Sequence, residues 1–156
     1  MKALIHATAG TLAMITIAIF WVSTLISEVF LDHAAVAGVK QGIVHALFLL
    51  VPVMALTGGS GFSLGKRRKG TLVERKKTRM AMVAVNAFLL MIPAALFLNG
   101  KAASGEFDPT FYAVQVVELV AGVVQFTLMG LNFRDGLKLS GRFDKGVPAQ
   151  FPSDTP

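Results

Sequence analysis

The chain has 156 residues, of which 54% are hydrophobic and only 15% charged, and it contains no cysteine. A soluble domain carries roughly a quarter of its residues as charges, so a soluble enzyme is excluded, as are a disordered chain and a disulfide-stapled secreted scaffold. Fifteen Lys and Arg against nine Asp and Glu leave a net charge of +6, and the clumping of those charges decides how the surplus is read. None occurs from Ala3 to Ser27, from Gln41 to Gly65 or from Met80 to Gly100, and the stretch Pro109–Phe133 holds one, Glu118. Apolar runs longer than about 18 residues are transmembrane-helix candidates.

The first predicted helix covers residues 3–27. Its apolar stretch of about 25 residues exceeds the 7–15 of a signal-peptide core, and no small-x-small site follows closely, so it is read as uncleaved. Trp21 is expected near the outer interface as an anchor. The second helix covers residues 38–57, contains Pro52, and is expected to end in the breaker cluster Gly58-Gly59-Ser60-Gly61. The segment Gly59–Lys66 is not a phosphate loop, because its first glycine position is Ser60 and Arg67 follows the lysine. The third helix covers residues 80–98, contains Pro93, and is expected to stop at Asn99-Gly100. The fourth covers residues 110–132, after Asp108-Pro109, where Pro suits the first turn. Residues 134–156 form a polar tail, too poor in apolar side chains to build a core. Short loops force consecutive helices to be antiparallel neighbours. The expected architecture is all-α, an up-down bundle of four transmembrane helices within residues 1–133.

Basic residues of short loops sort to the cytoplasmic side. The largest basic cluster is Lys66, Arg67, Arg68, Lys69, Arg75, Lys76, Lys77 and Arg79, in the predicted loop 58–79. Placing it inside puts both termini in the cytoplasm and leaves only Lys40 and Lys101 outside, beside Glu28, Asp32, Glu106 and Asp108. The pattern suits a bacterial inner membrane, with the cluster setting topology and touching anionic headgroups, and it removes the nucleic-acid reading of the +6.

Polar residues within the hydrocarbon are costly and mark partners or function. At ~1.5 Å rise per residue, His45 of helix two lies ~4 Å outward of the midplane and Glu118 of helix four ~4–5 Å outward. An imidazole and a carboxylate at one level can hydrogen-bond, so His45 and Glu118 are the expected pair, with Gln115 one turn outward and Asn86 of helix three slightly inward of the centre. Haem b is the cofactor to test in a four-helix membrane bundle, through His45 or His6 as axial ligand. His6, near the inner end of helix one, differs from His45 by ~17 Å in depth, so one iron does not take both. Haem would need a partner subunit, a dimer pairing like with like, or a non-His axial ligand such as Met14, Met54 or Met91. His33 falls in the outer loop. The seven methionines are scattered without repeated spacing and fit packing better than soft-metal transport.

The functional expectation is a small non-catalytic membrane subunit that self-associates or joins a larger membrane complex, with a His45–Glu118 polar site. The faces Gly38-x-x-x-Gly42 and Glu118-x-x-x-Gly122 suit close helix packing. The alternatives are a b-type haem protein linked to quinone electron transfer and a proton-coupled small-solute carrier using Glu118.

Overall fold

The computed structural model describes residues 2–65 and 70–139, and among these every regular element is helical. The elements are α1 (Lys2–Phe30), α2 (His33–Gly65), α3 (Thr71–Asn86), one π-helical turn (Ala87–Met91), α4 (Ile92–Ala103) and α5 (Pro109–Leu139). The α3–π–α4 rod is continuous, so four helical spans are long and apolar enough to cross a membrane. Helix α1 packs on α2 and α5, α2 on α4, and α5 on α3 and α4. These contacts close a four-helix bundle. Its top carries the α1–α2 and α4–α5 connections, and its bottom carries Lys2, Gly65, Thr71 and Leu139.

Compared with a water-soluble protein, the interior is rich in polar side chains and the surface is rich in apolar ones. Thr24, Ser27, Lys40, Asn86, Gln115, Gln125 and Asp135 are buried, while Phe48 is 80% exposed and Leu4, Leu49, Leu89 and Val116 are also exposed. Apolar surface gains little by leaving lipid, whereas polar groups there must find partners inside. Two apolar clusters fill the remaining interior. Val36, Leu98, Ala102 and Phe111 pack at the top; Ala13, Ile17 and Leu50 pack in the middle, with Met54, Met91 and Met129 against them.

The helices outrun their predicted limits. Helix α2 begins five residues earlier than expected. Asp32 caps it, its Oδ1 accepting from the Ala35 amide at 2.8 Å. It also passes straight through Gly58–Gly61. Gly61 serves packing rather than termination: a Cβ there would lie 2.7 Å from Met80 Cε and 2.8 Å from His6 Cε1. The third span does not stop at Asn99-Gly100. It ends at Ala103, where Gly105 takes φ +71°, with its amide bonded to the Ala102 carbonyl and that of Glu106 to the Lys101 carbonyl. This is the Schellman closure. Helix α5 runs seven residues past Asn132, so the first part of the predicted tail is helical; residues 140–156 lie outside the described residues.

Pro93 cannot donate to the Leu89 carbonyl and crowds it, and the π turn at Ala87–Met91 immediately precedes it. The wider turn absorbs the misfit that a sharp kink would otherwise take. Trp21, expected as an interfacial anchor, turns its ring into the bundle. Its indole Nε1 donates to the Leu119 carbonyl at 3.0 Å, and its ring lies over Gly122, where a Cβ would come within 2.7 Å.

Asp108 caps α5, accepting from the Phe111 amide at 2.8 Å and from Lys101 Nζ at 2.5 Å. The lysine and then the amide hold the Asp108 carboxyl below its ordinary range. A carboxylate with a depressed folded value stabilises fully above its unfolded pKa, and that contribution is lost as pH falls through the folded one. Asp108→Ala should therefore lower the thermal unfolding midpoint in detergent at pH 7, and the gap to wild type should narrow in acid.

Candidate functional site

The early start of α2 carries Lys40 two turns into the bundle, where its side chain is 1% exposed. Its Nζ donates to Glu118 Oε2 of α5 at 2.7 Å, and Gln115 Nε2 donates to the same oxygen at 3.2 Å. Glu118 therefore has a partner, but not the expected one. His45 lies five residues after Lys40, which turns it about 140° around the helix. It is exposed on the opposite face, with Gln41, Gly42, Phe48 and Leu49, and has no hydrogen-bond partner among the described residues. Equal depth was a sound condition for the pair, but the angular position of His45 overrides it.

Glu28, on the last full turn of α1, adds a second carboxylate to this cluster. It lies within electrostatic reach of Lys40, Glu118 and His33, and its Oε1 is buried without a hydrogen-bond partner. Gln115 Oε1 is likewise buried and unpartnered. His33 sits in the first turn of α2 rather than in a loop. Its ring stacks on Phe107 with centroids 4.0 Å apart and planes 9° from parallel, and its Nε2 lies 3.5 Å from the Tyr112 hydroxyl.

Beneath Glu118 is a cavity of about 50 Å³ between all four spans, lined by Trp21, Leu47, Met54, Met91 and Gln125 among others. Asn86, on the turn before the π segment, donates from Nδ2 to the Ala121 carbonyl at 3.0 Å and to Gln125 Oε1 at 2.9 Å. It fastens the irregular third span to α5. Gln125 Nε2 is left without a partner. The interior face of α5 is thus polar along most of its length, through Gln115, Glu118, Gln125, Asn132 and Asp135.

At the bottom, Arg79 Nη1 donates to Asp135 Oδ2 at 2.5 Å, joining α3 to α5. His6 faces the bundle, with Nδ1 donating to the Thr57 carbonyl at 3.0 Å and 3.3 Å from Ser60 Oγ. Thr57 is twelve residues along α2 from His45, a rise of about 18 Å. With one imidazole tied to a carbonyl and the other pointing outward, His6 and His45 of one chain do not fit a shared haem iron. Arg75, Lys76, Lys77 and Arg79 occupy the first turns of α3, and Lys77 pairs with Glu74 at 2.8 Å. Lys66, Arg67, Arg68 and Lys69 lie outside the described residues.

The sequence reading singled out Glu118, Gln115 and Asn86 but missed Lys40, Gln125 and Asp135. No family model, curated protein or solved structure matches the chain.

Proposed function

We propose that the protein is a non-catalytic, multi-pass subunit of the bacterial inner membrane that pairs with a second copy of itself through the outward face of α2. The observation that carries this reading is the exposed set Gly38, Gln41, Gly42 and His45. An imidazole and an amide facing hydrocarbon without partners are costly. Gly38 and Gly42 have nothing within 4 Å of where a Cβ would sit, so a neighbouring backbone can approach closely there, as small-xxx-small faces allow. A two-fold pairing brings Gln41 and His45 of the two copies together and counts each contact twice.

The topology that accompanies this reading has both termini and the α2–α3 connection in the cytoplasm. Its support is charge placement: Arg75, Lys76, Lys77, Arg79, Arg134 and Lys138 all belong to the bottom half of the bundle, at the start of α3 and the end of α5. That end meets anionic headgroups.

The test is the stoichiometry of the purified chain in lipid nanodiscs or by single-molecule photobleaching in vesicles. A dimer is expected. Interhelical polar contacts contribute about 0.6–2 kcal/mol each, so His45→Leu should weaken the dimer several-fold, and Gly42→Leu, which also blocks close approach, about tenfold or more. A monomer at every protein-to-lipid ratio overturns the proposal.

A further inference from the structure

We infer that the cavity lined by Glu118 and Gln125 is a binding site for water, holding a short hydrogen-bonded file that joins the two side chains. Gln125 carries the first observation. It is 0% exposed, and its Oε1 accepts from Asn86 Nδ2 at 2.9 Å, which fixes the amide and leaves Nε2 as its free end. That Nε2 is buried and has no hydrogen-bond partner among the described residues, yet Gln125 lines the cavity. An amide donor withheld from both water and protein is costly in an apolar interior. The second observation stands at the other end. Glu118 lines the same cavity, and the bonds from Lys40 and Gln115 both end on its Oε2, so Oε1 keeps its capacity to accept.

The dimensions agree. Glu118 and Gln125 are seven residues apart on α5, which puts them on one face of the helix with a rise of about 10 Å between them. Hydrogen-bonded oxygens sit about 2.8 Å apart, so three waters in line between two protein atoms span about 11 Å. A water needs roughly 10–15 Å³ of such space, and the cavity's 50 Å³ holds three. The polarity of the ends also matches. A file that begins on an N–H and ends on a carboxylate oxygen lets each water donate in one direction, and it adds no charge to the bundle. Thr24 of α1, 3% exposed, brings a hydroxyl to the same wall. Ala87 and Ala95, small residues at the π turn and just beyond it, leave the room. The file links the Lys40–Glu118 pair to the Asn86–Gln125 bridge, so the polar interior of α5 is continuous through the middle of the bundle. The site belongs to one chain and does not depend on self-association; a monomeric protein would leave it intact.

Water-edited solid-state NMR of the full chain, isotope-labelled at glutamine and held in lipid nanodiscs, tests the site. The chain has four glutamines, and the side-chain amide signal of Gln125 is the one missing in Gln125→Leu. In wild type that amide should receive magnetisation from water, although the side chain is fully buried. Ala95→Leu puts a larger side chain into the cavity and should cut the transfer about twofold or more by displacing water, while the Gln125 signal itself is kept. Leu47→Phe serves as the filling variant if Ala95→Leu fails to fold. A wild-type Gln125 amide that receives no magnetisation from water overturns the proposal. So does a transfer that persists undiminished when the cavity of the folded protein is filled.

Discussion

Glu118→Leu should destabilise the bundle by about 3 kcal/mol, measured by unfolding in mixed detergent. Removing one partner of a buried ion pair typically costs about 3–5 kcal/mol, because the other charge stays buried and unmatched. The lower end applies here because Glu28 lies within reach of the orphaned Lys40. Lys40→Met should cost less than Glu118→Leu, since Gln115 Nε2 still donates to the Glu118 carboxylate. The double variant Lys40→Met/Glu118→Leu should recover most of the loss, because apolar replacements of similar volume satisfy a buried site. Additive single costs would mean that the two side chains do not interact.

Arg79→Ala should be the more damaging half of the lower ion pair. Asp135 is 3% exposed and Arg79 19% exposed. Losing the arginine leaves a buried carboxylate that Arg134, at 3.7 Å, and Lys138 only partly offset; losing Asp135 leaves an arginine in the first turns of α3, free to extend its head toward headgroups and water. A cost of about 2–4 kcal/mol is expected for Arg79→Ala, and clearly less for Asp135→Ala. Equal effects would show that the pair is solvated rather than buried. Both unfolding series should be run at one detergent composition, because the reference state changes with it.

The four spans were legible in the sequence because their defining property, a long run without charge, is the one the hydrocarbon imposes. Their ends were less legible. Glycine and proline signal helix ends in water, but in an apolar layer the unpaired backbone costs more than the poor helix former. Gly58–Gly61 and Asn99-Gly100 are accordingly helical. One missed boundary had consequences for the site. Asp32 before His33-Ala34-Ala35 is a sequence-level N-cap signal, and starting α2 there moves Lys40 from the outer end of the helix to two turns inside it. The polar stripe of α5 was also within reach, since Glu118, Gln125 and Asn132 recur every seven residues.

The His45–Glu118 expectation failed for a different reason. Rise per residue gives depth, but which face of α2 meets α5 depends on how all four helices pack, and apolar residues occupy both the lipid face and the core. Nothing in the periodicity of such a helix marks its inside. Lys40 and His45 differ by 140° of helix rotation, at about 100° per residue, and only the assembled bundle selects between them. The same selection leaves His45 on the exposed face of α2, the face proposed to pair with a second copy.

The absence of native cysteine makes single-cysteine cross-linking in the membrane the most direct measurement. The account predicts that Gln41→Cys and Leu49→Cys, on the outward face of α2, form disulfide-linked dimers under mild oxidation, while Val120→Cys, exposed on α5, stays monomeric. Cross-linking from Val120→Cys alone, or from none of the three, would contradict it.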